Sequence, residues 1–391
     1  MTAGAGHGQT RTSAATTHRP RAAYIHVPFC RHRCGYCNFT LIAGRDELIG
    51  RYLHALAKEL MLLPGPQPVD TLFFGGGTPT HLPPDQLQQL FDLVREWFPL
   101  VASGEFSVEA NPLDLTPQRC EILSQAGVNR ISLGVQSFSE RKLKILERDH
   151  GPADIATAFA RAKSVAPSVS LDLIFGVPEE SLAEWEHDLQ QALALAPQHL
   201  STYGLTIEKG TSFFPRVNRG ELQPANEEAA ADMYERTIDV LTAAGFEHYE
   251  VSNFARPSHR CRHNETYWLG GGYFAAGPGA ARYVDGVREM NHRSTTAWLH
   301  KLERNESPVA EREELNPEEI ARERLVFGLR RLAGIEVREF SRAHGYSIDQ
   351  LGGAPLQRYI EQGFLERTDN KLRLTRRGLL ISDSLWPDLL R

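Results

Sequence analysis

Three of the chain's five cysteines fall within eight residues, Cys30-Arg31-His32-Arg33-Cys34-Gly35-Tyr36-Cys37. A secreted disulfide framework spreads its pairs along the chain. A tight cluster in a sequence without an export signal reads instead as metal binding in a reducing compartment. Three thiolates from one loop can ligate three irons of a [4Fe–4S] cube, which leaves the fourth iron to a non-protein ligand. Arg31, His32 and Arg33 add positive charge that favours the thiolate form. A structural zinc site is the alternative, normally drawing four protein ligands from two paired knuckles. Cys120 lies in a predicted helix, and Cys261 with His263 is more than 200 residues away.

The elements that must hold this loop follow from periodicity. The runs 22–27 (AAYIHV), 70–75, 105–110, 130–135, 170–175, 199–205 and 248–252 read as buried or half-buried strands. Amphipathic helices lie between them. In 46–62, for example, Ile49, Leu53, Leu56 and Leu60 recur at helical spacing with Asp46 near the start. Two helices end in Ala126-Gly127 and Ala244-Gly245, where glycine can take the left-handed cap conformation. Strand–helix alternation builds a parallel sheet, and six or seven repeats suit a complete or partial (β/α) barrel. Such folds carry function at the C-terminal ends of strands. Gly75-Gly76-Gly77, Glu109, Gln136 and Asp172 sit at or near four such ends and together outline one rim.

The remaining sequence divides into three parts. Residues 1–21 read as a disordered tail, and 256–315 as a region linking the barrel of 22–255 to a C-terminal module of 316–391. That module resembles a winged helix, with a helical stretch over 316–334 and a hairpin over 364–374. It carries thirteen Lys/Arg against eleven Asp/Glu, so the basic face of a DNA-binding domain is missing. The net charge of −6 gives no reason to expect nucleic acid as a partner. No apolar run reaches the ~18–20 residues of a membrane span, which predicts a soluble chain. The expected class is α/β, a partial TIM-like barrel with a smaller α+β module.

The Cys-x3-Cys-x2-Cys spacing, led by Tyr24-Ile-His-Val-Pro-Phe-Cys30, resembles the signature of the radical SAM superfamily. Within it, residues 22–390 are similar to the group of oxygen-independent coproporphyrinogen III dehydrogenases and HemW-type haem chaperones. The resemblance implies that S-adenosylmethionine (SAM) chelates the open iron through its amino and carboxylate groups. Gly76, Gly77 and Thr78 would let backbone approach that part closely. Glu109 would accept from the ammonium or ribose, Gln136 would bond ribose or carboxylate, and Asp172 would accept ribose hydroxyls. Arg148 would pair with a carboxylate, and Tyr24 and Tyr36 would pack on sulfur or adenine.

His263-Asn264-Glu265-Thr266-Tyr267-Trp268 matches a His-Asn-x-x-Tyr-Trp motif of the chaperone group. The match implies His263 as a haem-iron ligand, with Asn264, Tyr267 and Trp268 around the macrocycle. Taken as bare residues, the same run reads as a loop that satisfies buried backbone around two core aromatics. Two features lean away from the dehydrogenases: these typically carry a further cysteine two residues after the third, where this chain has Asn38-Phe39, and a longer N-terminal extension. Two departures stand out, Ala281 where histidine is frequent and Glu147 where glycine is common. The reading expects a cytoplasmic haem chaperone with a [4Fe–4S] cluster, SAM and haem, serving acceptor proteins such as respiratory enzymes. Any membrane contact would come through those acceptors, and a homodimer is compatible with it. Coproporphyrinogen III dehydrogenation stays as the enzymatic alternative.

Overall fold

The computed structural model describes residues 19–391; the predicted tail over 1–21 thus lies almost wholly outside the described residues. Nine strands form one sheet: β1 Ala22–Val27, β2 Val69–Gly76, β3 Leu100–Ala110, β4 Arg130–Gln136, β5 Ser168–Phe175, β6 His199–Gly204, β7 Glu247–Glu250, β8 Asn253–Ala255 and β9 Phe274–Ala276. Their order is β9-β1-β2-β3-β4-β5-β6-β8-β7. Every pair from β9 to β6 is parallel.

The period of two along each strand sorts side chains between two faces. Ala23, Ile25 and Val27, Leu72 and Phe74, and Ile131, Leu133 and Val135 join the apolar core beneath the helices. Phe74, for example, meets Phe91 of the helix Pro84–Trp97 with ring centroids 5.1 Å apart. The alternate residues, among them His26, Glu109, Ser132 and Asp172, face inward. A parallel sheet is usually apolar on both faces; this one is polar inside because the inner face lines a site.

The edges differ from the expected run of parallel repeats. β8 inserts antiparallel between β6 and β7. Only Val251 and Ser252 separate β7 from β8, a connection long enough for a hairpin and too short for a parallel crossover. On the other side, β9 comes from the predicted linking region and pairs with β1. A buried carboxylate fixes it there. Glu59, in the helix Ile49–Leu60, accepts from Gly277 N at 3.0 Å, Asn291 Nδ2 at 2.6 Å and Trp298 Nε1 at 3.0 Å. Ala281 falls in a three-stranded sheet of Ala281–Val284, Val287–Asn291 and Val309–Glu314, opposite Met290.

The C-terminal module packs the helix Pro317–Arg330 with Ile348–Glu361 and Ser382–Leu390, beside a small sheet of Ile335–Glu336, Lys371–Leu374 and Leu365–Arg367. The apolar core runs without a break from barrel to module through Leu325, Leu372 and Trp386. Among the described residues, no helix is long and apolar enough to cross a membrane.

Candidate functional site

Cys30 leaves the end of β1 in a two-residue parallel bridge, Phe29–Cys30 against Ile42–Ala43, so the cysteine loop returns to its own start. A turn closes inside it, with Cys37 N donating to Cys34 O at 3.1 Å. The glycine run at the end of β2 is stitched to this loop. Gly77 N donates to Val27 O at 2.8 Å, Thr78 N to Phe29 O at 2.8 Å, and Thr78 Oγ1 lies 3.4 Å from Cys30 Sγ. A Cβ on Gly77 would sit 2.6 Å from the Val27 carbonyl oxygen, and Gly76 holds φ +101°. Only glycine satisfies both demands.

One cavity of about 380 Å³ opens at these strand ends. It brings together Cys30, Cys34, Cys37, Tyr36, Gly76, Gly77, Thr78, Glu109, Gln136, Arg148 and Asp172. Arg148 stands on the thiol side. Its Nη1 lies 3.4 Å from Cys34 Sγ, its Nη2 donates to Asn111 Oδ1 at 2.6 Å and Gly134 O at 2.9 Å, and its buried Nε has no partner. The carboxylates stand apart from the thiols. Glu109 accepts from Gly76 N at 2.9 Å, and Asp172 from Ser132 Oγ at 2.9 Å. Burial, with the charge of Asp172 added, pushes Glu109 up to about 8.

The helix Glu140–Ile145 delivers Arg148, and a fully buried ion cluster anchors that helix. Lys142 Nζ meets Glu180 and lies 2.6 Å from Asp188, which also accepts from Ser137 Oγ and Phe138 N at 2.7 Å each. Glu147 takes φ +56°, so the turn that glycine would make is made here by an acid. Its carbonyl accepts from His32 Nε2 at 2.5 Å and its carboxylate meets Arg216 at 3.1 Å.

The basic residues of the loop do not govern the thiols as expected. Burial pushes Cys30 up to about 12 and raises Cys37, while Arg31 is engaged by Asp114 and Asp149. Such thiols ionise against a strong Lewis acid rather than spontaneously. Among the described residues no three His, Cys, Asp or Glu side chains converge on a single metal ion. Three sulfurs, a glycine cradle that a Cβ would fill and an unpartnered guanidinium nitrogen fit a cluster with a zwitterionic ligand.

Tyr24 and the histidine motif lie elsewhere. Tyr24 points inward below the cavity, its hydroxyl donating to His26 Nδ1 at 3.0 Å. His263 plugs the opposite end of the barrel and is 1% exposed. Both its nitrogens are engaged, Nδ1 with Thr71 Oγ1 at 2.9 Å and Nε2 with Tyr267 OH at 2.8 Å, and its ring stacks on Phe73. Burial lowers it to about 3, so it is neutral. Its helix, Arg262–Trp268, starts on the inward carboxylate of Glu105, which accepts from Arg262 N and His263 N at 3.0 Å each. Asn264 is half-buried on the same turn, and Trp268 packs on Arg330 and Phe327 of the C-terminal module. The structure thus places the motif as a plug and joint, away from the cysteine cavity.

Asn111, Ser132 and Tyr203 line the cavity without having been singled out from the sequence. Ser132 was within reach, since it shares the inward register of Gly134 on β4. Asn111 and Tyr203 carried no comparable signal.

The radical SAM superfamily profile matches residues 24–192, and the HemN C-terminal domain profile matches 315–381. The heme chaperone HemW of Bacillus subtilis is 36% identical over 371 residues, covering 94% of this chain and 98% of that protein. The heme chaperone HemW of Synechocystis sp. is 39% identical over 326 residues, covering 81% and 79%. The mitochondrial radical S-adenosyl methionine domain-containing protein 1 of Bos taurus is 35% identical over 384 residues, covering 94% and 87%. Among solved structures, coproporphyrinogen III oxidase (HemN) from Escherichia coli superposes with a TM-score of 0.84 at 21% identity, covering 96% of this chain and 91% of that one.

Proposed function

Because this chain belongs to the HemW family within the radical SAM superfamily, we propose that it is a haem chaperone that binds haem and a [4Fe–4S] cluster with SAM and passes haem to acceptor proteins such as respiratory enzymes. The observation that carries this reading is the near end-to-end alignment with proteins named heme chaperones.

In this reading Cys30, Cys34 and Cys37 would hold the cluster through their thiolates. Gly76, Gly77 and Thr78 present backbone to the amino-acid end of SAM, and Arg148 neutralises its carboxylate from the thiol side. Glu109, Gln136 and Asp172 receive the ammonium and the ribose hydroxyls, with Ser132 orienting Asp172. When bound, a cluster of this kind supplies single electrons at low potential. The protein's part is to orient SAM, keep the thiols out of water and shield the site. His263 could reach an iron only by giving up two hydrogen bonds and leaving the barrel floor.

Anaerobic reconstitution followed by two assays tests the proposal. Haemin binding without turnover of coproporphyrinogen III is the expected result. Conversion of coproporphyrinogen III in the presence of SAM and a reductant sinks it in favour of the dehydrogenase.

A further inference from the structure

We propose that His199, with Tyr249 behind it, is a positioning residue for the cysteine cavity: through Ser170 it delivers the hydrogen bond that keeps Asp172 an ionised acceptor for the hydroxyl and ammonium donors of SAM. This rests on the SAM reading of the cavity and adds to it a residue that lies behind the cavity wall.

Strand register brings the parts together. Ser170 and Asp172 on β5 lie opposite His199 and Ser201 on β6. Ser170, His199 and Tyr249 are all buried. Ser170 Oγ lies 2.8 Å from His199 Nδ1, and His199 Nε2 lies 2.8 Å from the Tyr249 hydroxyl. That hydroxyl oxygen in turn accepts from the Cys261 N–H at 3.2 Å. The last bond sets the direction of the others, because a backbone N–H can only donate. The Tyr249 hydrogen therefore goes to His199 Nε2, since a buried donor left unmade is costly. His199 is neutral, because burial, Arg130 and His259 all disfavour the imidazolium. Its single ring hydrogen then sits on Nδ1 and goes to Ser170. The Ser170 hydrogen is left facing Asp172 Oδ1 and Ser201 Oγ, each at 3.4 Å.

Every step thus points one way, toward Asp172. There the carboxylate collects hydroxyl hydrogens from Ser132, Ser170 and Ser201 and feels the charge of Arg130, all of which oppose the upward push of burial. Glu109, the other carboxyl of the cavity, accepts from Gly76 N and is pushed up to about 8. The two carboxyls are therefore unlike, and Asp172 is the one built to stay ionised. A chain run in the opposite direction would put a hydrogen on His199 Nε2. Tyr249 would then face two donors, from His199 and from Cys261, with its own hydrogen unused.

The test titrates SAM into the full-length, anaerobically reconstituted protein by calorimetry, with cluster absorbance and the urea midpoint recorded for each variant. An asparagine amide stands where Nδ1 stands and a glutamine amide where Nε2 stands, so the two replacements divide the roles of the ring. His199→Gln should weaken SAM about tenfold while cluster content holds. His199→Asn, which still donates to Ser170, should stay within about threefold of the parent. A merely structural role would weaken both variants alike, in step with stability, and that result overturns the proposal. So does a parent and a His199→Gln variant of equal affinity, which leaves the SAM reading standing. A second measurement needs no variant to fold: 15N spectra of the histidine-labelled parent should show His199 as a neutral Nδ1–H ring that does not titrate across the neutral range, and an Nε2–H ring overturns the proposal. If the parent binds no SAM, the SAM reading itself fails and takes the proposal with it.

Discussion

Arg148 Nη1 lies 3.4 Å from Cys34 Sγ, and the same guanidinium donates to Asn111 and to the Gly134 carbonyl. It therefore ties the cysteine loop to the ends of two strands, β3 and β4. Replacing it with Gln keeps one short polar group and removes the charge and the fork. A charge-assisted bond contributes about 1.5–3 kcal/mol, so Arg148→Gln should weaken SAM binding by one to two orders of magnitude. Calorimetric titration of the reconstituted protein measures this; an unchanged affinity would remove Arg148 from the SAM site.

Glu109 gives a pH signature. A carboxyl that holds its proton up to about 8 when folded, against about 4.3 when unfolded, binds more protons folded than unfolded. Stability from this group is therefore present at low pH and is lost as pH rises from about 4 to about 8. The loss amounts to about 1.4 kcal/mol for each unit of difference. Glu109→Gln keeps an oxygen for the Gly76 N–H and removes the titration. The variant should gain stability over the parent at pH 8 and lose that advantage at pH 4, as read by denaturant unfolding of the cluster-free protein. A pH-independent difference would contradict the shift.

The ion cluster around Lys142 should be unforgiving. Both it and Glu180 have fully buried side chains, and Asp188 shares the site. Lys142→Met leaves two carboxylates without a counter-charge, a loss of about 3–5 kcal/mol. Urea denaturation should show the drop, with the steepest loss of amide protection in 137–148. A stability change under 1 kcal/mol, on the order of a surface pair, would show that the cluster is not closed as described.

Gly77→Ala tests the cradle. The added Cβ would meet two backbone oxygens, Val27 at 2.6 Å and Phe29 at 2.7 Å, neither of which can swing away. Overpacking of this kind costs about 1–3 kcal/mol. It should also part the glycine run from β1, so SAM affinity should fall together with stability. Retained affinity would mean that the loop adapts elsewhere.

How much of this was legible in the sequence depended on which force set each feature. Seven of the nine strands of the main sheet were, because burial imprints itself on residue choice along them. The rim was, because Glu109, Gln136 and Asp172 sit at or near the C-terminal ends of adjacent strands. β8 and β9 were not: three-residue strands carry too little pattern, and β9 is held by Glu59, a residue in a distant helix. Glu147, a departure where glycine is common, keeps φ +56° all the same. The histidine motif was legible as a motif but not as a location. What seats it is Glu105, whose partners lie more than 150 residues downstream.

The pairing of β1 also governs when the site can form. Ala23 pairs on one side with Leu72 and on the other with Phe274, about 250 residues later. During synthesis the strand that leads into Cys30 thus remains a bare sheet edge until almost three quarters of the chain has emerged. Contacts of such long sequence separation form late and slowly, and an unpaired edge invites strand exchange with other chains. Nascent chains halted before residue 274 should therefore associate or draw chaperones, and iron–sulfur loading should follow chain completion rather than accompany it. Release of ribosome-bound fragments of graded length, scored for cluster uptake, would show a step once β9 is present.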